Sequence, residues 1–254
     1  MEIKREHPVK RCAIIIGNDR WGGDLLPGVA HDIDAIKSFL LSHAGGAWIP
    51  ESIFDIVKPI GRDTFLQLLA KAIMEGYEYF FIYFGGHGEL SKSLTPSFIL
   101  PGGEEVDLNS IRSVLSSRPV LMISDSCQGI PEYGLGGVLN ESQRMFSSGN
   151  VAENFKASRL FDRELRELPP IFTYASAVSA GQYAGDTDAG GLYTQNLLQA
   201  CNRILEEENK NQVVGICYPH ILATEAVLRQ SGGKQKPSIT GYNRSFQPPF
   251  LVIL

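Results

Sequence analysis

Tyr79-Phe-Phe-Ile-Tyr-Phe-Gly-Gly-His-Gly88 is the stretch that decides the fold. Six aromatic or β-branched residues in a row are strongly β-prone. No polar residue interrupts them, so the strand is buried on both faces, as strands of a parallel sheet are. It stops at Gly85-Gly86, and a histidine follows. Outward from it, Cys12–Asn18, Ser52–Val57 and Pro119-Val-Leu-Met-Ile-Ser124 read as further strands, joined by Ile171–Ser176 and Phe250–Leu254. Ser97–Leu100 reads as a short strand or half of a hairpin. Between the strands, apolar residues recur at helical spacing: Val29, Ile33, Ile36, Leu40 and Leu41, then Phe65, Leu68, Leu69 and Ile73. Leu108–Leu115, Leu192–Glu207 and His220–Arg229 follow the same rule. Buried strands alternating with amphipathic helices predict an α/β fold, a mostly parallel sheet covered on both faces. Residues 1–254 form one domain in this reading, with a long functional loop at about 129–170.

The bulk composition narrows the function. At 254 residues the chain buries roughly three quarters of its unfolded surface, enough for one substantial core. A net charge of -5 and the lack of a basic stripe argue against nucleic acid as a partner. No apolar run nears the ~20 residues that span a bilayer, so no membrane is expected. The charged start, Met1–Arg11, lacks the pattern of a secretion signal. The four cysteines, Cys12, Cys127, Cys201 and Cys217, show no paired spacing and read as reduced thiols. A cytoplasmic location is the resulting expectation.

In doubly wound sheets reactive groups gather beyond the carboxyl ends of the strands. Two such ends carry them here, Phe84-Gly-Gly-His87-Gly88 and Ile123-Ser-Asp-Ser-Cys127-Gln-Gly129. A thiol is mostly protonated at neutral pH, and a neighbouring imidazole lowers its pKa from ~8.5. His87 can thus generate the thiolate and then protonate a leaving amine. Gly88, lacking a side chain, can offer its N–H beside that of Cys127 to a developing oxyanion.

Those two stretches resemble the histidine and cysteine motifs of the caspase–metacaspase clan. Asp125-Ser-Cys-Gln-Gly129 is closest to the Asp-Ser-Cys form of metacaspases and related bacterial proteases, with Gln128 and Ile130 replacing the usual His and Gly. Ala175-Ser-Ala177 and Gly190-Gly-Leu-Tyr-Thr194 resemble the clan's next strand and helix start. The resemblance implies a three-layer α/β/α sandwich around a mostly parallel six-stranded sheet. It also implies a cysteine endopeptidase with His87, Cys127 and Gly88 at its catalytic centre. Metacaspases hold a P1 Arg or Lys with carboxylates, and the matching positions here are Asp125 and, in Gly28-Val-Ala-His-Asp32, Asp32. Two converging carboxylates repel until a guanidinium enters. Asp186 and Asp188 read as solvated loop acids beside them.

The long loop carries Arg144, Lys156, Arg159, Arg163 and Arg166, either as self-cleavage sites or as a charged helix over Asn154–Leu168. No cofactor is expected. Glu104, Glu105 and Asp107 stand where some metacaspases bind calcium, but the acidic insertion that normally carries the ligands is missing, and a strand-end turn is the preferred reading. The partners implied are protein or peptide substrates with a basic P1 residue, and an activating small molecule or partner protein. A role as a gated effector in a bacterial stress or antiviral response fits that setting. The apolar C-terminal strand could pair at an exposed edge, so monomer and homodimer are both open. Two rival readings stand beside the protease: a signal-binding or scaffold module without turnover, and a thiol hydrolase acting on small amides.

Overall fold

The computed structural model describes residues 7–91, 93–128, 146, 149–208, 211–243 and 245–254. Six strands form the central sheet: β1 (Arg11–Asn18), β2 (Ile53–Ile56), β3 (Tyr79–Gly86), β4 (Val120–Asp125), β5 (Phe172–Ser176) and β6 (Ser238–Thr240). Their order is β6-β5-β4-β3-β1-β2, all parallel except β6, which runs antiparallel to β5. The side-chain period of two sorts each strand into two cores. Ala13, Ile15, Phe81, Tyr83, Leu121 and Ile123 face one way; Cys12, Ile14, Phe80, Ile82, Val120 and Met122 face the other. Helices α1 (Val29–Leu41), α4 (Val151–Arg166), α5 (Leu192–Glu207) and α6 (Cys217–Gln230) cover the first face. Helices α2 (Arg62–Met74) and α3 (Leu108–Val114) cover the second. The sandwich has the expected three layers.

One detail differs from the sequence reading: the sixth strand of the sheet is not the C-terminal one. Pro249–Ile253 pairs antiparallel with Gln212–Gly215 outside the central sheet. It is buried on both faces, and its Val252 N–H bonds Ala44 O at 2.7 Å. Its apolar composition serves the first core rather than an exposed edge. Of the two readings of the long loop, the charged helix is the one present: α4 takes up much of it. Asn150 accepts from Glu153 N while the Glu153 carboxylate accepts from Asn150 N, a reciprocal cap. Ala157, Phe161 and Leu165 then recur every fourth residue on the buried face. Lys156, Arg159, Arg163 and Arg166 therefore lie on a helix, whereas a peptide bond bound for cleavage is extended. Arg144 and the segment 129–145 lie outside the described residues. The short hairpin strand expected at Ser97–Leu100 is present as Pro96–Ile99, in a small antiparallel sheet with Gly88–Leu90 and Glu105–Asp107.

Two of the acids considered for calcium, Glu104 and Asp107, bond to helix starts. Glu104 accepts from Arg62 N at 2.8 Å at the start of α2. Asp107 caps α3, accepting from Ser110 N at 2.9 Å and Ser110 Oγ at 2.6 Å. Among the described residues no three metal-ligating side chains are gathered around one point, and none of the helices is long and apolar enough to cross a membrane.

Candidate active site

Register places the two residues expected to react at neighbouring strand ends. Gly85 pairs with Asp125 across β3 and β4. His87 and Cys127 each stand two residues beyond that pair, past the carboxyl edge of adjacent parallel strands. The glycines between are needed on steric grounds. Gly86 has φ 149°, and a Cβ there would sit 2.6 Å from Asn18 O. A Cβ on Gly88 would lie 2.9 Å from Cys127 O and 3.0 Å from Ser126 Oγ, so Gly88 packs directly against the cysteine turn.

The His87 ring is half-buried, tilted against Trp21 at 6.2 Å between centroids. Its Nε2 is buried and has no hydrogen-bond partner among the described residues. Burial lowers its pKa, opposed chiefly by the Asp24 carboxylate. Cys127 Sγ points at Ala184 O at 4.0 Å. Burial pushes this thiol up; a backbone hydrogen bond from Ala184 opposes, and the charges of Asp125 and Asp186 raise it further. The expected depression of the thiol pKa is thus reversed in this arrangement, because two carboxylates and burial act on Sγ together. Both shifts favour the uncharged forms, thiol and imidazole.

Beside Cys127 lies a small cavity of about 20 Å³, lined in part by Asp32, Asp125, Asp186, Leu26 and Ala184. Asp32 is 2% exposed and Asp125 7%. Both are held by the N-terminus of α5. Asp125 Oδ2 accepts from Thr194 N and Thr194 Oγ1, each at 2.8 Å. The Thr194 hydroxyl in turn lies 2.9 Å from the Tyr83 hydroxyl. Asp32 Oδ2 accepts from Gly191 N at 2.9 Å, while its buried Oδ1 has no hydrogen-bond partner among the described residues. A helix N-terminus favours such charge, yet burial outweighs it. Desolvation raises Asp125 to about 6, and desolvation with the charge of Asp125 raises Asp32 well above the usual carboxylate range.

Asp186 is a correction to the sequence reading. It is not a solvated loop acid but a wall of the cavity, shifted up by burial and accepting from Gly28 N at 3.3 Å. Close approach of glycine backbone admits all three acids. A Cβ on Gly28, Gly190 or Gly191 would collide with an oxygen of Asp186, Asp32 or Asp125 respectively. Thr194, Gly28 and Gly191 complete the site as donors; all three fall in the stretches Gly28–Asp32 and Gly190–Thr194 that the sequence singled out, without a role of their own there.

A comparison of the sequence with curated proteins gives no match. Among solved structures, caspase-1 from Spodoptera frugiperda aligns with a TM-score of 0.60 at 14% identity, covering 100% of this chain and 95% of that one. A protein from Geobacter sulfurreducens aligns with a TM-score of 0.55 at 16% identity, covering 96% of this chain and 100% of that one. At those identities the likeness is one of fold. The sequence itself matches the caspase domain family over residues 10–246. Those residues run from β1 nearly to the end of the chain, and with them the chain belongs to the caspase family, whose members are cysteine-type peptidases needing no cofactor.

Proposed function

We propose that this peptidase cleaves peptide bonds after basic residues, Arg first and then Lys, with Cys127 as nucleophile and His87 as acid and base. The observation that carries the specificity is the cavity against Cys127 walled by Asp32, Asp125 and Asp186. Buried carboxylates without a counter-charge are costly, and a P1 guanidinium supplies that charge with a geometry that matches carboxylates in pairs. A cavity of about 20 Å³ holds roughly one water molecule. Entry of a P1 side chain therefore displaces the Ala184–Asp186 wall outward.

The reaction begins with a neutral pair. The Cys127 thiol gives its proton to the imidazole as Sγ bonds to the scissile carbonyl carbon. The N–H groups of Gly88 and Cys127 receive the carbonyl oxygen as it becomes an oxyanion. The C–N bond then breaks, and the imidazolium passes its proton to the departing amine. Water, deprotonated by His87, cleaves the thioester; the acid leaves and Sγ regains a proton.

Fluorogenic peptides ending in Arg, Lys or Asp, hydrolysed by the wild type and by Cys127→Ala, test this reading. Turnover of the Arg peptide, lost in the variant, is the expected result. Preference for the Asp peptide would overturn the assignment of the acidic cavity, and activity surviving in Cys127→Ala would overturn the nucleophile.

A further inference from the structure

Arg20–Trp21 and Asp24–Leu25 form a tight hairpin. Its two turn residues, Gly22 and Gly23, have φ of 61° and 97°, the all-positive turn that suits the twist of a two-residue hairpin. The register pairs Trp21 with Asp24 and Arg20 with Leu25. Directly opposed residues of a hairpin share a face. Trp21 and Asp24 therefore point together, and the Trp21 ring contact identifies what they point at: the His87 imidazole.

Trp21 is 40% exposed and belongs to neither apolar core, so the fold does not use its ring. The base of the hairpin is fixed, with Leu26 N donating to Asp19 O at 2.8 Å. Leu26 then turns into the wall of the acidic cavity. One short segment thus borders both the cavity and the imidazole. The chemistry gives that neighbourhood a meaning. An imidazole that protonates the departing amine lies beside the scissile nitrogen, so the residue following the scissile bond passes over it.

We propose that Trp21 forms the leaving-side subsite, receiving an apolar or aromatic P1′ side chain against its indole ring, with Asp24 on the same face excluding acidic P1′ residues. This rests on His87 and Cys127 as the reacting pair and not on which P1 residue is preferred. Covering half-exposed indole with an apolar side chain is favourable, whereas glycine leaves it in water. One apolar side chain discriminates substrates by about 10-fold or more.

The test uses internally quenched peptides that differ only at P1′ (Phe, Leu, Gly or Asp), each made with Arg, Lys or Asp at P1. The wild type, Trp21→Ala and Trp21→Phe are compared by kcat/KM. The hairpin lies outside the cores, so neither variant threatens folding. The expected result is a Phe-to-Gly ratio of about 10 in the wild type, near 1 in Trp21→Ala and largely restored in Trp21→Phe, with the Asp peptide poorest. A wild-type ratio near 1, or a ratio that survives in Trp21→Ala, overturns the subsite. A P1 preference for Asp removes the acidic-cavity reading while the P1′ ratios still decide on Trp21. Cleavage of no peptide in the set removes both.

Discussion

Asp125→Asn should make the protein more stable and less active at once. Burial raises the Asp125 pKa from 3.8 to about 6, net of the two bonds from Thr194. A carboxyl whose folded pKa lies above its unfolded value binds its proton more tightly when folded, so it opposes folding wherever it is ionised. The penalty is absent below pH 3.8, grows between there and pH 6, and is complete above. About two pKa units at ~1.4 kcal/mol each amount to roughly 3 kcal/mol. Asparagine keeps an oxygen for the Thr194 donors and has no charge to desolvate. The variant should therefore melt on the order of 5–10 °C higher at pH 8. At pH 4.5 most of the gain should be gone. Hydrolysis after Arg should fall roughly 100-fold, since a buried partner of the P1 charge is lost. Thermal melts at the two pH values, beside kcat/KM for an Arg peptide, measure both effects. A variant less stable than wild type at pH 8, or equally stabilised at both pH values, would refute the electrostatic account.

The remaining predictions concern the thiol, the glycine behind it and a buried ion pair. Alkylation of Cys127 by iodoacetamide should keep accelerating above pH 9, because burial and two carboxylates hold the thiol up; a plateau below pH 7 would mean a resting ion pair with His87. Gly88→Ala should lower kcat/KM at least about 10-fold with only a modest loss in melting temperature, as its Cβ would press on Cys127 O and Ser97 O, the latter at 3.0 Å. Arg11→Ala should cost ~3–5 kcal/mol in urea unfolding, leaving Asp162 without the Nε contact at 3.4 Å. It also removes bonds to Gly46 O and Ser158 Oγ. Asp162→Leu in the same chain should recover part of that loss, and no recovery would show that the packing of Arg11 on Trp48 and Phe161 dominates.

What could be read from the sequence follows from how each element is buried. β1, β3 and β4 have neighbours on both edges and helices on both faces, so their residues are apolar without interruption and announce themselves. β6 pairs along one edge only, and its Ser-Ile-Thr is half-buried, so nothing marks it. The C-terminal strand has the opposite problem. Its composition is that of a central strand because the first core surrounds it, yet composition cannot say which partner strand it takes. The cap and the four-residue spacing of α4 were present in Asn150-Val-Ala-Glu153 and in Ala157, Phe161 and Leu165, while the density of charge around them left a helix and a cleavable loop equally open.

The site was legible where chemistry is local and hidden where it is not. His87 and Cys127 announce themselves through flanking glycines, while Asp186 meets Gly28 across 158 residues, a separation that no motif spans. That third acid changes the argument about catalysis. Asp125 and Asp186 line the cavity and also raise the thiol beside it. In the proposed reaction a P1 guanidinium neutralises the charges that hold the nucleophile protonated. The thiol pKa then falls in the complex, at the moment His87 must accept its proton. A neutral P1 side chain of the same size fills the cavity without that effect. Basic specificity of this origin is expressed in kcat as well as in KM, because the cation contributes to forming the nucleophile and not only to holding the substrate.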